Sequence, residues 1–300
     1  MNLKDMLLAK AMMGGGGGSG GGGGSSVPKG MYLSVAPFQG MTTAYKPFLL
    51  NGEIYATSSG VTGAGYLNKI YKWTGSKWEV ILEGTSTSVG IDGTTMDHGV
   101  YRVEYHGKVH FIGSKQHRVF DGSTFTLLNA PPSTTERPSI VVYKDKIVGY
   151  FPYTGTLYEW DETTDTWVSL AQLASDTYTY YYLYVANNDL YAIKSGKCYQ
   201  FVDDAMVQTS GESAIPQQWS MSGGFVYNGW IYYVYSQSTY STVYKYNPQT
   251  DEREVFGDFP PCASAGFFYL GDELYALLRT HSSYSNYNPC FKVNIAEASA

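Results

Sequence analysis

The chain has 300 residues, of which 15% are charged and 16% aromatic, with 29 Tyr and a formal net charge of −6 at pH 7. Nucleic acid is excluded as an expected partner, because phosphate contacts require basic side chains and the sequence has no Lys/Arg cluster. No apolar run reaches the roughly 18 residues that a membrane-spanning helix needs, so no membrane span is predicted.

Residues 1–13, with the sequence MNLKDMLLAKAMM, predict a short amphipathic helix. A helix of this length is only marginally stable alone in water, so its apolar face is expected to need a partner. Asp5 and Lys10 interrupt what would otherwise be the apolar core of a signal peptide, which disfavours secretion by that route. The predicted anchor contacts on the apolar face are Leu3, Met6, Leu7 and Met13.

Residues 14–26 contain only Gly and Ser and predict a flexible linker with a root-mean-square reach of roughly 20 Å. The run lacks the Gly-Lys-Ser/Thr ending of a phosphate-binding loop. An engineered origin of the run is the alternative to a natural one. A short Met/Leu/Ala helix followed by polyglycine resembles the beginnings of structural proteins from phages and prophages of Gram-positive bacteria. That resemblance implies a start that docks on the particle and a tether that presents a distal domain.

The sequence from residue 27 onwards predicts a series of tight β-hairpins. Asn-Gly and similar pairs between β-branched and aromatic runs are the strongest short-range hairpin signal. The second turn residue recurs at intervals of 38 to 55 residues, which is the range of four-stranded propeller blades. The six near-copies are LLNGEIY (49–55), EYHGKVH (104–110), VYKDKIV (142–148), VANNDLY (185–191), VYNGWIY (226–232) and YLGDELY (269–275).

A second hairpin follows each of the first five, with an aromatic residue ahead of a polar turn. These aromatic residues are Trp73, Phe120, Trp160, Phe201 and Tyr246. The sixth repeat ends after PCFKVNI (289–295), and MYLSVAPF (31–38) is predicted to supply its missing fourth strand. Pairing the two ends would remove an exposed sheet edge. The predicted fold is therefore all-β, a six-bladed β-propeller over residues 27–300.

The repeats resemble Kelch-like β-propellers in blade length, in the paired glycines before a first tight turn (Gly223-Gly224) and in the aromatic residue of the third strand. The resemblance covers roughly residues 30–300 and implies the fold. It implies no single function, because propellers serve as enzymes, scaffolds and adhesins.

The two sides of such a disc are predicted to differ. Turns between strands 1 and 2 and between strands 3 and 4 lie on one side, called here the turn face, and are short. Loops between strands 2 and 3 and crossovers between blades lie on the other side, called here the loop face. The long Tyr-, Ser-, Thr- and Gly-rich segments of the loop face include 58–68, 87–99, 152–155, 175–182, 214–224, 236–242 and 280–289.

Tyr with small polar residues is the composition of antibody-like binding surfaces, and aromatic faces also suit sugar rings. The competing interpretation is that Tyr is simply favoured in β structure and that these loops are solvated. The predicted ligand contacts are Tyr66, Tyr153, Tyr178, Trp219, Tyr240, Tyr284 and Tyr287.

No catalytic, metal or cofactor site is predicted. His106 and His110 straddle a hairpin turn, which does not place both rings on one face as a metal pair would require. The acidic pairs 162/165, 203/204 and 251/252 fall in turns where solvated carboxylates are expected. The cysteines Cys198, Cys262 and Cys290 are odd in number and lack metal-ligand spacing, so they are expected to be buried small residues.

Three functions are compatible with the sequence. The first is a non-enzymatic display protein, such as a phage or prophage tail or capsid appendage, whose propeller binds a cell-surface glycan or protein while residues 1–13 dock on the virion or another protein. The second is an intracellular Kelch-type interaction scaffold, and the third is a glycan-active enzyme with its site at the central channel. The first predicts a virion or extracellular location after release, and the second predicts the cytoplasm.

Overall fold

The computed structural model describes residues 30–38, 44–58, 69–84, 101–113, 116–132, 138–173, 181–194, 196–209, 224–236, 241–259, 264–279 and 290–296. These residues form six four-stranded antiparallel sheets arranged as the blades of a ring, with no helix in the described ranges. The predicted six-bladed β-propeller is confirmed. Within those ranges, no helix is long and apolar enough to cross a membrane.

The chain builds the blades in sequence order, each from its innermost to its outermost strand. Blade 1 consists of β2 (Ala44–Leu50), β3 (Glu53–Ser58), β4 (Lys69–Trp73) and β5 (Trp78–Glu83). Blade 2 consists of β6 (Tyr101–Tyr105), β7 (Lys108–Ile112), β8 (His117–Phe120) and β9 (Phe125–Leu128). Blade 3 consists of β10 (Ser139–Tyr143), β11 (Lys146–Phe151), β12 (Thr156–Asp161) and β13 (Thr166–Gln172). Blade 4 consists of β14 (Tyr182–Ala186), β15 (Asp189–Lys194), β16 (Lys197–Val202) and β17 (Ala205–Gln208). Blade 5 consists of β18 (Gly224–Tyr227), β19 (Trp230–Ser236), β20 (Ser241–Asn247) and β21 (Glu252–Phe259). Blade 6 consists of β22 (Ser264–Leu270), β23 (Glu273–Arg279) and β24 (Cys290–Ala296), with β1 (Gly30–Val35) as its fourth strand.

The first hairpin of each blade is closed by a tight turn, and in five of the blades the turn has the backbone conformation that its sequence predicts. In five of the six turns, both central residues have a positive φ between 46° and 77°. Two consecutive positive φ angles define the turn whose twist matches a two-residue hairpin, and Asn, Asp and Gly tolerate them best. The five pairs are Asn51-Gly52, His106-Gly107, Lys144-Asp145, Asn187-Asn188 and Asn228-Gly229.

The N-terminal strand closes the ring, as predicted. β1 is the outermost strand of blade 6 and pairs antiparallel with β24, from Gly30 opposite Ala296 to Val35 opposite Phe291. Because β1 occupies the place of a fourth strand, it begins on the turn face and ends on the loop face. Gly30 and Ala296, the first and last described residues, therefore lie together on the turn face.

The hydrophobic core lies between blades, and the aromatic residue of each third strand packs against the preceding blade. Trp160 of blade 3 contacts His117 of blade 2, with ring centroids 4.8 Å apart. Phe120 of blade 2 contacts Tyr55 of blade 1 at 5.6 Å. The buried Tyr246 belongs to the cluster that joins blades 4 and 5. Cys198 and Cys290 are buried and form no disulfide within the described ranges, as expected of buried small residues, and Cys262 lies outside the described residues.

Two acidic turn residues hold these aromatic side chains in place. The Trp160 Nε1–H donates a hydrogen bond to Asp165 Oδ1 at 3.0 Å, and the Tyr246 hydroxyl donates to Asp251 Oδ1 at 3.0 Å. Both aspartates lie five positions after their aromatic partner and have a positive φ. Asp251 is exposed, as expected of a turn carboxylate, and Asp165 is half-buried, but both also anchor the polar tip of a packed ring, a contact that was not predicted.

Candidate binding face and inner edge of the ring

The turn face consists of short turns whose polar side chains bond across blades. Asn187 Nδ2 in the first turn of blade 4 donates to Gln249 Oε1 in the second turn of blade 5 at 2.9 Å. His106 in the first turn of blade 2 meets Glu162 in the second turn of blade 3 at 2.9 Å. Hydrogen bonds of this kind help to hold neighbouring blades together at the turn face.

Of the predicted ligand contacts, only Tyr153 lies in the described part of the chain. It stands on the loop-face turn between β11 and β12, and 44% of its surface is exposed. The other predicted contacts lie outside the described residues, as do the four predicted anchor residues: Tyr66, Tyr178, Trp219, Tyr240, Tyr284, Tyr287, Leu3, Met6, Leu7 and Met13.

The turn that carries Tyr153 is held by hydrogen bonds on both sides of the tyrosine. The backbone N–H of Gly155 and the hydroxyl of Thr154 both donate to the carbonyl of Phe151, at 3.0 Å each. Gly155 has a φ of 65°, a conformation that side-chain-bearing residues adopt rarely. Pro152 and Gly155 are buried, so the exposed ring of Tyr153 projects from a fixed base.

A side-chain network continues from this turn to the outermost strand of blade 3. The Thr156 hydroxyl donates to Gln172 Oε1 at 2.7 Å, and Gln172 Nε2 donates to the Thr154 carbonyl at 3.0 Å. Because both ends of the Gln172 amide are used, the network braces the turn. The backbone that carries Tyr153 is therefore held by hydrogen bonds before and after this residue.

The inner edge of the ring is closed by side chains that bond the free backbone groups of the innermost strands. Arg102 Nη2 on β6 donates to the Pro47 carbonyl on β2 at 2.9 Å, and its guanidinium lies 4.9 Å from the Phe48 ring centroid. The Glu104 carboxylate accepts a hydrogen bond from the backbone N–H of Leu49, two residues further along β2. Together the two side chains take the place of a neighbouring strand for β2.

Desolvation at this edge changes the acidity of both groups. It lowers the pKa of Arg102 to about 10, which still leaves the guanidinium charged at neutral pH. It raises the pKa of Glu104, against the opposing effect of the Arg102 charge. Both side chains therefore help to join blade 2 to blade 1.

The same device recurs at two other blade junctions. Ser139 Oγ on blade 3 accepts a hydrogen bond from the Leu183 N–H on blade 4 at 2.9 Å. The Tyr269 hydroxyl on blade 6 donates to the Val226 carbonyl on blade 5 at 2.8 Å. Both backbone groups belong to innermost strands and point away from the second strand of their own blade. Polar residues of the inner edge therefore have a structural use.

Three arginines whose side chains the structure describes lie in different settings. Arg102 is engaged with β2, Arg118 is fully buried in blade 2, and Arg253 lies 6.0 Å from the Tyr244 ring of blade 5. The described ranges contain no group of three or more His, Cys, Asp or Glu side chains placed to hold a metal ion.

A buried histidine pair between blades 2 and 3 was not predicted. His110 Nδ1 and His117 Nε2 are 2.9 Å apart, and both rings lie against Trp160. Burial lowers the pKa of each imidazole below its ordinary value of 6.5. The sequence spacing singles out His106 and His110, whereas the observed contact joins His110 on β7 to His117 on β8, seven positions later.

Comparison with solved structures identifies β-propellers. A gluconolactonase from Xanthomonas campestris, XC5397, is 12% identical and has a TM-score of 0.56, with 89% of this chain and 90% of that chain covered. The WD40 repeats of RRP9 are 12% identical with a TM-score of 0.52, over 88% of this chain and 97% of that chain. The computationally designed protein Ika8 is 10% identical with a TM-score of 0.49, over 79% and 68%. No protein-family model and no curated protein matches the sequence. At these identities the first two similarities support the fold alone.

Proposed function

We propose that the protein is a non-enzymatic binding module, similar in kind to Kelch-like propellers, that presents its loop face to a cell-surface glycan or protein. The observation that carries this proposal is the polarity of the disc. Gly30 begins β1 on the turn face, whereas the Tyr-rich segments are predicted for the loop face. The predicted linker, residues 14–26, would therefore reach the disc from the turn face.

This polarity suits a display protein. With residues 1–13 docked on a particle and a linker reaching roughly 20 Å, the turn face would point inward and the loop face outward. The resemblance of residues 1–26 to the beginnings of phage and prophage structural proteins supports a virion as that particle, with the protein as a tail or capsid appendage. The protein would then be found on the virion, or outside cells after release.

The chemistry of the loop face supports a glycan or protein ligand. Tyr153 offers a rigid aromatic surface above a braced turn, and the neighbouring loop sequences supply further Tyr, Ser, Thr and Asn side chains. Sugar rings present C–H surfaces that stack on aromatic rings and hydroxyl groups that bond to small polar side chains. The same surface composition binds proteins in antibodies.

The test uses the full-length protein on a glycan array and on intact host cells. Tyr153→Ala is the loop-face variant, and Asp204→Ala, in an exposed turn on the opposite side, is the matched control. Central aromatic contacts typically contribute more than about 1 kcal/mol, so Tyr153→Ala should weaken binding at least about fivefold while Asp204→Ala leaves it unchanged.

Four outcomes would count against the proposal. Equal binding by both variants would remove Tyr153 from the site, and absence of binding to any glycan or cell would remove the adhesive role. Recovery of the free protein with one cytosolic partner would favour a Kelch-type scaffold instead. Hydrolysis of a sugar lactone, the activity named for the Xanthomonas propeller, would contradict the non-enzymatic role.

A further inference from the structure

Three histidines lie at the interface between blades 2 and 3. Protonation of one of them strengthens the interface, whereas protonation of the other two is expected to weaken it. His106 is on the turn face, and its ring stacks on Tyr105 with centroids 3.9 Å apart. His110 and His117 lie inside the interface and are 2% and 0% exposed. The sequence alone does not distinguish these settings, because all three residues belong to one hairpin pair of blade 2.

The His106 ring bridges two carboxylates of blade 3. Its Nδ1 is 2.9 Å from Glu162 Oε2, and its Nε2 is 3.1 Å from Asp145 Oδ1. Only the protonated ring can donate a hydrogen bond to both carboxylates at once. The hydrogen bond to Glu162, followed by that to Asp145, raises the pKa of His106. The charged form of His106 therefore joins the two blades.

The His110–His117 pair has the opposite requirement. A hydrogen bond between Nδ1 of His110 and Nε2 of His117 needs one N–H and one lone pair, so two neutral rings satisfy it. The walls around the pair are aromatic, formed by Tyr105, Trp160 and Trp167 at centroid distances of 4.8 to 5.7 Å. Such walls solvate a charge poorly compared with water.

The charged groups around the interface do not compensate a charge on the pair. Lys108 and His106 both act on His110, and both are cations that oppose its protonation. The neighbouring carboxylates bond to other groups: Asp145 and Glu162 to His106, Asp165 to Trp160 Nε1, and Glu159 to Lys146. Within the described part of the chain, Nδ1 of His117 has no hydrogen-bond partner.

We propose that the interface between blades 2 and 3 is an acid-sensitive joint, in which protonation of the His110–His117 pair opens the packing around Trp160 while the His106 clamp keeps the blades attached at the turn face. The first proton places a charge among aromatic rings but leaves one N–H between the histidines. The second proton sets two N–H groups head to head across 2.9 Å, which the closed interface cannot hold.

The direction of the pH dependence follows from linkage. In the closed joint the pair binds protons more weakly than an exposed imidazole, whose pKa is about 6.5. The open joint therefore takes up protons first as the pH falls below about 6.5. For each further unit of acidification, the population of the open joint rises about tenfold if opening takes up one proton and about a hundredfold if it takes up two. The increase ends when the closed joint is protonated as well.

The joint is connected to the Tyr153 turn through Phe151. The Trp167 ring contacts His117 at 5.6 Å and Phe151 at 5.2 Å, and the Phe151 carbonyl holds the turn that carries Tyr153. If the loop face is the binding face proposed above, acid would loosen one of its contacts. The joint itself does not depend on that role, because it is tested without any ligand.

Hydrogen exchange of the full-length protein, read by mass spectrometry between about pH 7 and about pH 5, tests the joint directly. Protection factors, which correct for the intrinsic pH dependence of exchange, should fall at least about tenfold in β7, β8, β11 and β12. Protection in β19 and β20, which contain no histidine, should stay constant. An equal fall in every blade, or no fall in blades 2 and 3, would overturn the proposal.

Variants separate the two histidine sites. His110→Gln/His117→Gln should abolish the acid-dependent loss of protection, whereas His106→Gln should preserve it and weaken the joint already at neutral pH. If the double variant does not fold, nitrogen NMR of the wild-type imidazoles decides. The His110–His117 pair must remain neutral below about pH 6.5 while His106 is protonated. Titration of the pair at or above that pH would contradict the proposed acid-sensitive joint.

Discussion

At the residue scale, Gly224 shows why a glycine begins the innermost strand of blade 5. A Cβ at this position would lie 2.5 Å from the Tyr184 hydroxyl oxygen of blade 4 and 2.8 Å from the backbone carbonyl of Tyr232. Tyr184 is buried, and the carbonyl belongs to the adjacent strand, so neither can easily move. The glycine is therefore required by close packing between blades and not by its backbone angles.

Gly224→Ala should destabilise the protein by about 1–3 kcal/mol, the usual cost of adding volume to a filled interface. Gly257→Ala is the matched control, because a Cβ there meets nothing within 4 Å. Urea unfolding followed by circular dichroism gives both free energies of unfolding. Equal midpoints for the two variants would show that Tyr184 can move aside.

Asp165 is a second residue whose role depends on its neighbours. Besides accepting the Trp160 Nε1–H, its carboxylate accepts the backbone N–H of Asn129 in blade 2 at 2.8 Å. Hydrogen bonds to a charged group contribute more than neutral ones, so Asp165→Ala should cost about 1–3 kcal/mol. The loss should be visible as a lower thermal midpoint and as a change in Trp fluorescence.

Asp204→Ala serves as the control for that prediction. Asp204 also has a left-handed backbone, with φ at 61° against 52° for Asp165, so both substitutions place alanine in a similarly unfavourable conformation. In the described part of the chain, the Asp204 side chain makes no hydrogen bond. A similar loss of stability in both variants would assign the effect to the backbone instead of the Trp160 contact.

At the element scale, the closing strand joins the two ends of the propeller. The side chains of Met31 and Leu33 on β1 pack against the cluster between blades 5 and 6, whereas Ser34 is exposed. Leu33→Asp should therefore destabilise closure by about 2–4 kcal/mol, because it replaces packed apolar surface with a charge. Ser34→Asp introduces the same charge at an exposed position of the same strand and should be nearly neutral.

The measurement combines thermal unfolding with size-exclusion chromatography. Release of β1 would expose the edge of β24, and a free edge promotes association between chains. Leu33→Asp should thus lower the melting temperature and increase the fraction of oligomer, while Ser34→Asp changes neither. A fully monomeric Leu33→Asp protein of wild-type stability would show that β1 is dispensable for closure.

The elements were largely predictable because each blade repeats local signals. Asn-Gly and related pairs specify the first turn, and the aromatic residue before the second turn specifies the third strand. The His110–His117 contact was not predictable, because it depends on which faces of β7 and β8 turn towards blade 3. Likewise, no local pattern indicates that Asp165 reaches Trp160. Of the candidate site, the structure places Tyr153 on an exposed loop-face turn, and its role in binding stays a prediction.

At the scale of the whole molecule, the tyrosines that fill the spaces between blades couple folding to high pH. Desolvation raises the pKa of Tyr184, Tyr233 and Tyr275 well above the ordinary value of 10, and raises the pKa of Tyr191 to about 12. It also raises the pKa of Tyr55 to about 12, helped by the hydrogen bond to Glu53. These side chains belong to five different strands, so no single blade carries the effect.

The sign of the pH dependence follows from these shifts. The unfolded chain loses its phenolic protons above about pH 10, while the folded chain keeps those of the buried rings. Stability is therefore lost as the pH rises above about 10, by up to about 1.4 kcal/mol per pH unit for each such tyrosine. We expect tyrosinate absorbance to rise in one cooperative step that coincides with the loss of near-ultraviolet circular dichroism. The chain in concentrated urea should instead titrate smoothly near pH 10, and smooth titration of the native protein with its circular dichroism intact would mean that the buried rings ionise without unfolding.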